Sequence, residues 1–148
     1  MNTLKIGVVG FSRSQFDKKA AILQLRNHLE YFVEKYPEHI ISVVSGYTNM
    51  GVPRLAYQIA DDMDLHTVGF SAKQALKVRS GVYPVKEEVI VGEKFGDESA
   101  EFIKYIDVLL RIGGGPQSRK EVEMFKEYHK DKNLDNILFE KEIDWYGR

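Results

Sequence analysis

Two glycine-rich segments, each lying between an apolar run and an amphipathic run, constrain the fold of this chain more than any other feature. Residues 45–51 follow the apolar run 40–44, and residues 113–118 follow the apolar run 108–112. A buried strand that ends in glycines and leads into a helix leaves backbone N–H groups free at the positive end of that helix, where proteins bind phosphate and other anions. The two segments therefore predict an α/β fold with an anion-binding edge.

Strand-like and helix-like segments alternate along the whole chain. The apolar and β-branched runs predict strands at 4–9, 40–44, 66–70, 88–92, 107–112 and 137–139. Helical spacing of apolar residues predicts helices over 17–36 and 53–63, a short helix over 72–76, a helix beginning at Asp97 or Ser99, and a last helix after Ser118. Such alternation produces right-handed βαβ crossovers. We expect one three-layer, Rossmann-like α/β domain over residues 1–148, with a mostly parallel sheet and helices on both faces.

Three residues predict where helices begin and end. Asp17 is a suitable N-cap for the first helix, and Pro37 should end that helix near Tyr36, because the residue before a proline avoids the helical conformation. Pro53 fits the first turn of the second helix, where its missing N–H costs nothing. That helix should bury one apolar face, made of Leu55, Ala56, Ile59 and Met63.

Composition excludes several classes of function. The formal net charge of −1 over 148 residues gives no case for general DNA or RNA binding, which needs a basic face. The absence of cysteine excludes disulfides, thiolate zinc sites and cysteine nucleophiles, and the four scattered histidines lack metal-ligand spacing. No apolar run reaches the ~20 residues of a membrane span, and the first residues lack a signal-peptide pattern. We expect a soluble protein of the cytoplasm without a metal site.

The predicted sheet brings three distant segments to one edge. Ligands of such sheets bind beyond the carboxyl ends of the strands, and residues 10–13, 45–54 and 113–121 all lie there. Two cations in these segments, Arg13 and Arg54, would form a phosphate clamp, because the guanidinium fork matches phosphate oxygens. The candidate ligand-binding residues are Gly10, Ser12, Arg13, Ser45, Gly46, Thr48, Asn49, Gly51, Arg54, Gly113, Gly114, Gly115, Ser118 and Glu121.

The spacing of Ser118 and Glu121 supports two interpretations. Ser118 can cap the last helix with Glu121 near its N3 position, as in a capping box. Alternatively, Ser118 donates its hydroxyl to a ligand while Glu121 binds ribose hydroxyls or acts as a base. The aromatic residues Tyr83, Trp145 and Tyr146 are expected to close the core or a dimer contact rather than stack on a base.

Motifs in both halves of the chain resemble one superfamily. Residues 114–121 resemble the PGG-x-GT-x-x-E signature of the Lonely-guy (LOG) proteins, with Gly113, Gln117 and Ser118 in place of its proline, third glycine and threonine. Residues 9–17 are similar to a GSR-x-F-x-D opening with one insertion. Residues 44–56 are similar to SGG-x-x-G-x-D-x-x-A, with Pro53 in place of the aspartate. Most of the chain thus resembles the SLOG (SMF/DprA–LOG) superfamily of Rossmann-like nucleotide binders.

The resemblance implies a nucleotide, nucleoside phosphate or ADP-ribose-like ligand and a homodimer. LOG enzymes cleave the N-glycosidic bond of nucleoside 5′-monophosphates with an arginine and the signature glutamate, which corresponds to Glu121. The arginine position falls on Glu98 and the next lysine on Ser99, so that a cation which would stabilise developing charge is missing. Asp97, Glu98 and Ser99 either form an acidic wall opposite Glu121 or place favourable charge at a helix start. Glu121 and Glu98 are the catalytic candidates.

Three functions remain open at this point. The intact glycine turns and the missing arginine favour a module that binds or senses a small nucleotide-like ligand and needs no cofactor. The second possibility is an enzyme, either a nucleotide N-glycosidase of the LOG type (a phosphoribohydrolase) or a nucleoside-transfer enzyme that uses Glu121. The third is a carrier of an anionic cofactor such as molybdopterin, because molybdenum-cofactor carriers share this general fold.

Overall fold

A parallel β-sheet covered by helices on both faces forms the framework of the protein. The computed structural model describes residues 2–78 and 81–146, and within them six strands form one sheet in the order β4-β3-β2-β1-β5-β6, with every neighbouring pair parallel. The strands are β1 (Thr3–Gly10), β2 (Ile40–Ser45), β3 (His66–Ser71), β4 (Glu87–Ile90), β5 (Val108–Ile112) and β6 (Leu138–Lys141). The helices are α1 (Lys18–Lys35), α2 (Gly51–Asp62), α3 (Ser99–Tyr105) and α4 (Pro116–Tyr128), with 3₁₀ turns at Lys73–Lys77 and Leu134–Asn136. The predicted fold class is confirmed.

Strand β1 lies at the point where the order of the strands reverses. Ile6 pairs with Val43 of β2 on one side and with Val108 of β5 on the other. Strands β2, β3 and β4 extend the sheet in one direction, whereas β5 and β6 extend it in the other. In an open parallel sheet such a reversal separates the loops on either side and leaves a crevice at the carboxyl edge.

Two apolar cores hold the helices against the sheet, one on each face. Leu25, Leu29 and Phe32 of α1 pack with Val8 and with residues of α2 in the first core. The second core joins β1, β3 and β5 to α3 and α4 through Val9, Phe70, Phe102, Leu109, Val122 and Phe125. The adjacent residues Val8 and Val9 belong to different cores because successive side chains of a strand point to opposite faces.

The predicted ends of α1 are confirmed. The Asp17 carboxylate accepts a hydrogen bond from the Ala20 N–H at 3.1 Å, and the helix ends at Lys35, with Tyr36 as its C-cap. Helix α2 includes Pro53 in its first turn and buries Leu55, Ala56 and Ile59. Met63, which was predicted to be buried on the same face, is only partly buried because it lies just beyond the last helical residue.

The predicted start of α4 is wrong by three residues. The helix begins at Pro116 with Gly115 as its N-cap, and the Ser118 hydroxyl donates to the Gly115 carbonyl at 3.1 Å instead of capping the helix. Proline is favourable at the first helical position, where its fixed φ matches the helix. Ser118 and Glu121 therefore do not form a capping box. The short segment predicted as a helix over 72–76 is a 3₁₀ turn, and the last strand extends to Lys141.

Across residues 2–78 and 81–146, every helix is too short or too polar to cross a lipid bilayer.

The capping role of Asp17 can be tested by replacing it with alanine. The Asp17→Ala variant should lose about 1 kcal/mol in its free energy of unfolding, because the Ala20 N–H loses its acceptor at the start of the longest helix. Urea denaturation monitored by circular dichroism measures this difference. Asp131→Ala, at an exposed position in the turn after α4, is the matched control. Equal losses in the two variants would contradict the capping role.

Candidate functional site

A large cleft opens at the carboxyl edge of the sheet, where the strand order reverses. Its volume is about 990 Å³. Its walls come from the end of β1 and the loop after it, the loop after β2, the end of β3, the glycine turn with the first turns of α4, and the segment after β6. Segments that are far apart in the sequence, including both glycine-rich turns, thus line one cavity.

The first glycine turn is held by a buried tyrosine of α2. The Tyr57 hydroxyl donates to the Ser45 carbonyl at 2.7 Å, and it lies 2.9 Å from the carbonyls of Gly46 and Val68. It also accepts from the Ser45 N–H at 3.1 Å, while the Ser45 hydroxyl donates to the Val8 carbonyl at 2.6 Å. Burial raises the pKa of Tyr57 well above its ordinary value, so that it remains a donor. The sequence analysis missed Tyr57. The available signal was its place between Ala56 and Ile59, on the buried face of α2, where a hydroxyl needs hydrogen-bond partners.

The second glycine turn places the N-terminal end of α4 at the cleft. Gly113 and Gly114 have φ values of +63° and +109°, a region that favours glycine, and they turn the chain sharply out of β5. The first hydrogen bond of the helix runs from the Arg119 N–H to the Gly115 carbonyl at 3.2 Å. The N–H groups of Gln117 and Ser118 precede that bond, and both residues line the cleft. This end of α4 therefore meets the requirements of an anion site.

An arginine that the sequence analysis did not consider holds the same turn from behind. Arg111 of β5 is only 3% exposed, and its Nη1 donates to the Gly113 carbonyl at 2.8 Å. Its Nε donates to Glu140 at 2.8 Å and its Nη2 to Glu142 at 2.6 Å. The buried cation is thus compensated by two carboxylates and one carbonyl. The sequence did contain a signal for this role, because Arg111 is a charged residue inside an otherwise apolar strand.

Two arginines lie on the cleft wall. Arg13, in the loop after β1, is exposed and lines the cleft as part of the predicted clamp. The second predicted cation, Arg54, is exposed on α2 away from the cleft, because its position on the helix faces solvent. Arg119 lines the cleft instead, and it forms an ion pair with Glu142 at 2.8 Å. Arg119 and Arg111 together lower the pKa of Glu142 to about 2.

Two buried carboxyl groups, Glu98 and Glu121, also line the cleft. They are 6% and 7% exposed, respectively. The Ser99 hydroxyl donates to Glu121 at 3.0 Å, and the Gly96 N–H donates to Glu98 at 3.0 Å. The pKa of Glu121 is raised to about 7, mainly by burial and in smaller part by the nearby Glu98, against the opposing effect of the Ser99 hydrogen bond. Burial also raises the pKa of Glu98.

The acidic wall contains only part of the predicted set. Glu98 and Glu121 face one cleft, but the Asp97 carboxylate accepts hydrogen bonds from the N–H groups of Glu93 and Lys94 at 3.1 and 2.9 Å. These bonds lower the pKa of Asp97 and close the loop before α3. Asp97 therefore has a structural role in this loop. Its position two residues before the helix could not distinguish such a role from a place on the cleft wall.

Aromatic side chains form much of the remaining surface of the cleft. Trp145 packs on Phe11 with ring centroids 4.9 Å apart, and both residues line the cleft. Phe95, in the loop before α3, lies on the cleft wall and is 41% exposed. Trp145 reaches the cleft because the segment after β6 pairs with Phe16, in the loop between β1 and α1.

The structure brings most of the predicted site residues to the cleft and leaves four outside its walls. Those that line it are Gly10, Ser12, Arg13, Ser45, Gly46, Thr48, Glu98, Gly114, Gly115, Ser118 and Glu121. Gly51 packs against the backbone of the loop after β1, and Gly113 packs against the ring of Phe11. The Asn49 N–H donates to the Gly81 carbonyl at 3.0 Å, and Arg54 is exposed on α2. Within residues 2–78 and 81–146, no group of three or more His, Cys, Asp or Glu side chains is placed to hold a metal ion.

Solved structures of other proteins share this fold, and two of them illustrate the similarity. The X-ray structure of TM1055, a structural genomics target, has a TM-score of 0.61 and 21% sequence identity over 85% of this chain and 70% of its own. The molybdenum cofactor carrier protein of Chlamydomonas reinhardtii has a TM-score of 0.66 and 19% identity over 86% of this chain and 73% of its own. No protein-family model and no curated protein matches the chain. This structural similarity confirms that the chain has a Rossmann-like fold.

The raised pKa of Glu121 predicts how stability depends on pH. Because the folded protein keeps this proton up to about pH 7 while the unfolded chain releases it near 4.5, stability should fall as the pH rises through this interval and level off above it. The Glu121→Gln variant avoids this loss. Its free energy of unfolding should rise relative to wild type by about 3 kcal/mol between pH 4.5 and 7.5.

Urea titrations at several pH values measure the difference. Glu123→Gln, an exposed position on the same helix, is the matched control and should follow wild type at every pH. A constant difference between Glu121→Gln and wild type across this interval would show that the Glu121 carboxyl ionises normally.

Proposed function

We propose that this protein binds a phosphorylated nucleoside, or an anion of related chemistry, in the cleft and acts as a binding or sensing module. The observation that carries the proposal is the turn Gly113–Gly114–Gly115, which opens the N-terminal end of α4 to a cleft that also contains Arg13. The positive end of a helix, free N–H groups and an arginine together favour a phosphate group.

The geometry of the turn supports a phosphate near Gln117 and Ser118. The amide protons of these two residues precede the first helical hydrogen bond. A Cβ atom added to Gly115 would meet no atom within 4 Å, so that there is open space beside the turn. The Ser118 hydroxyl can rotate from the Gly115 carbonyl to a phosphate oxygen, because a hydroxyl is both donor and acceptor.

The rest of the cleft fits the remainder of such a ligand. A volume of about 990 Å³ accommodates a nucleotide, and ligand pockets commonly measure roughly 300–1,000 Å³. Glu121 lies one helical turn beyond Ser118, which suits a sugar hydroxyl adjacent to the phosphate. The exposed rings of Phe95 and Trp145 offer apolar surface for a planar base. A phosphorylated pterin likewise combines a phosphate group with a planar ring system. The fold shared with a molybdenum cofactor carrier supports including such a pterin among the candidate ligands.

Two substitutions of Gly115 test the anion site. Gly115→Asp and Gly115→Asn introduce side chains of similar size into open space, and both are good N-caps, so both should keep the stability of α4. The aspartate carboxylate would repel an anion at the helix end. Calorimetry with AMP should show at least tenfold weaker binding by Gly115→Asp than by Gly115→Asn.

Arg13→Gln should also weaken AMP binding, whereas Arg26→Gln on α1, with the same change in charge, should not. Wild-type affinity of the Gly115→Asp variant for AMP would contradict a phosphate at this helix end. If the purified protein retains a chromophore that absorbs as a pterin, the ligand is a pterin and the protein is a cofactor carrier.

A second candidate function is an N-glycosidase, favoured by the pKa of about 7 for Glu121. A carboxylate with such a pKa is suited to remove a proton from water at neutral pH. The water would attack the sugar carbon bonded to the base and the glycosidic bond would break. Glu121 would release to solvent the proton that it took from the water, and the leaving base would take up a proton from solvent. Glu98 at the position of the arginine of LOG enzymes offers no cation for this reaction, which makes binding the stronger proposal.

Incubation of the protein with AMP separates the two functions. A glycosidase should release adenine, and Glu121→Gln should reduce the rate at least a hundredfold because the general base is lost. Chromatography of the products measures free adenine. The exposed variant Glu123→Gln should keep the wild-type rate. Stable AMP in the presence of a protein that binds it would rule out the enzyme and leave the binding module.

A further inference from the structure

Arg119 combines access to the cleft with a weak attachment to the protein. It lies in the first turns of α4, next to Ser118, and it lines the cleft. Its Nη2 donates to Glu142 Oε1 at 2.8 Å and its Nη1 to Glu142 Oε2 at 3.4 Å. The side chains are 50% and 68% exposed. Ion pairs between side chains this exposed contribute little to stability, so Arg119 can leave Glu142 at low cost.

Glu142 does not depend on Arg119 for compensation. Its Oε2 accepts from the buried Arg111 Nη2 at 2.6 Å. Arg111 is fixed by its further hydrogen bonds to Glu140 and to the Gly113 carbonyl, at 2.8 Å each. If Arg119 moves, Glu142 keeps one arginine partner and its exposure to water. Arg111 is therefore the permanent partner of this carboxylate, and Arg119 is the exchangeable one.

We infer that Arg119 is an additional anion-binding residue, which exchanges the Glu142 carboxylate for the phosphate of the ligand. This inference rests on the proposed function and adds a residue that neither the glycine turns nor the family signature indicates. A guanidinium group that binds a carboxylate through two N–H groups presents the same fork to two phosphate oxygens. Arg119 follows Gln117 and Ser118 directly in the chain, and all three residues line the same cleft, so the fork is available to the proposed phosphate site.

The exchange makes Glu142 an intramolecular competitor of the ligand. Removing the negative charge of Glu142 should strengthen anion binding, because Arg119 then has no partner to leave. Removing Arg119 should weaken anion binding, and it should also abolish the effect of Glu142. The two substitutions are therefore expected to be non-additive, which a general electrostatic effect of either charge would not produce.

Calorimetric titration with AMP, inorganic phosphate and adenosine tests the exchange. Arg119→Gln should bind AMP and phosphate at least tenfold more weakly, as expected for the loss of charge-assisted hydrogen bonds. Glu142→Gln should bind them about three- to fivefold more tightly. The double variant should match Arg119→Gln. Adenosine, which lacks the phosphate, should bind all variants alike, and Arg119→Lys should be intermediate for AMP because it keeps the charge without the fork.

Arg26 and Asp62 form a matched control pair, with side chains 40% and 71% exposed and 3.5 Å apart. Arg26→Gln and Asp62→Asn should leave the affinity for AMP unchanged, and thermal unfolding confirms that every variant is folded. Wild-type affinity in Arg119→Gln, or an equal gain from Glu142→Gln with and without Arg119, overturns the inference while the proposed function stands. Failure of the wild-type protein to bind either AMP or phosphate overturns both.

Discussion

The bend between β5 and α4 is the constraint on which the rest of the site depends. Two consecutive glycines with positive φ turn the chain out of the sheet, and Pro116 then starts the helix at once. The buried guanidinium of Arg111 holds the Gly113 carbonyl from the other side. Residues with a β-carbon strongly disfavour this backbone, so that the orientation of α4, its N-terminal N–H groups and the position of Glu121 all follow from one short segment.

Buried polar side chains anchor both glycine turns from inside the protein. Tyr57 binds the carbonyl groups at the end of β2, while Arg111 binds the end of β5 and two glutamates near β6. Each anchor satisfies backbone or side-chain groups that would otherwise lose their hydrogen bonds on burial. The loops at the cleft are consequently supported by the core, which favours a preformed binding surface over one that must order around its ligand.

Charge is distributed unevenly around the cleft. The end of α4, Arg13 and Arg119 make one part positive, whereas Glu98 and Glu121 form an acidic wall in which burial raises both pKa values. A ligand with an anionic group at one end and hydrogen-bond donors farther along suits this arrangement. The small net charge of the chain gives little information about this cleft, because positive and negative residues within the cleft offset each other.

The sequence by itself determined the parallel α/β fold, the ends of α1 and the position of both glycine turns at one edge, because hydrophobic periodicity, caps and glycines act locally. It left the role of Ser118 open, because its spacing to Glu121 imitates a capping box, and it could not determine the exposure of Arg54, which depends on the rotation of α2. Only the tertiary structure brought Arg111, Glu142 and Trp145 to the site. Their side-chain partners lie more than twenty residues away, and contacts at such a separation depend on how the strands and the last segment pack together.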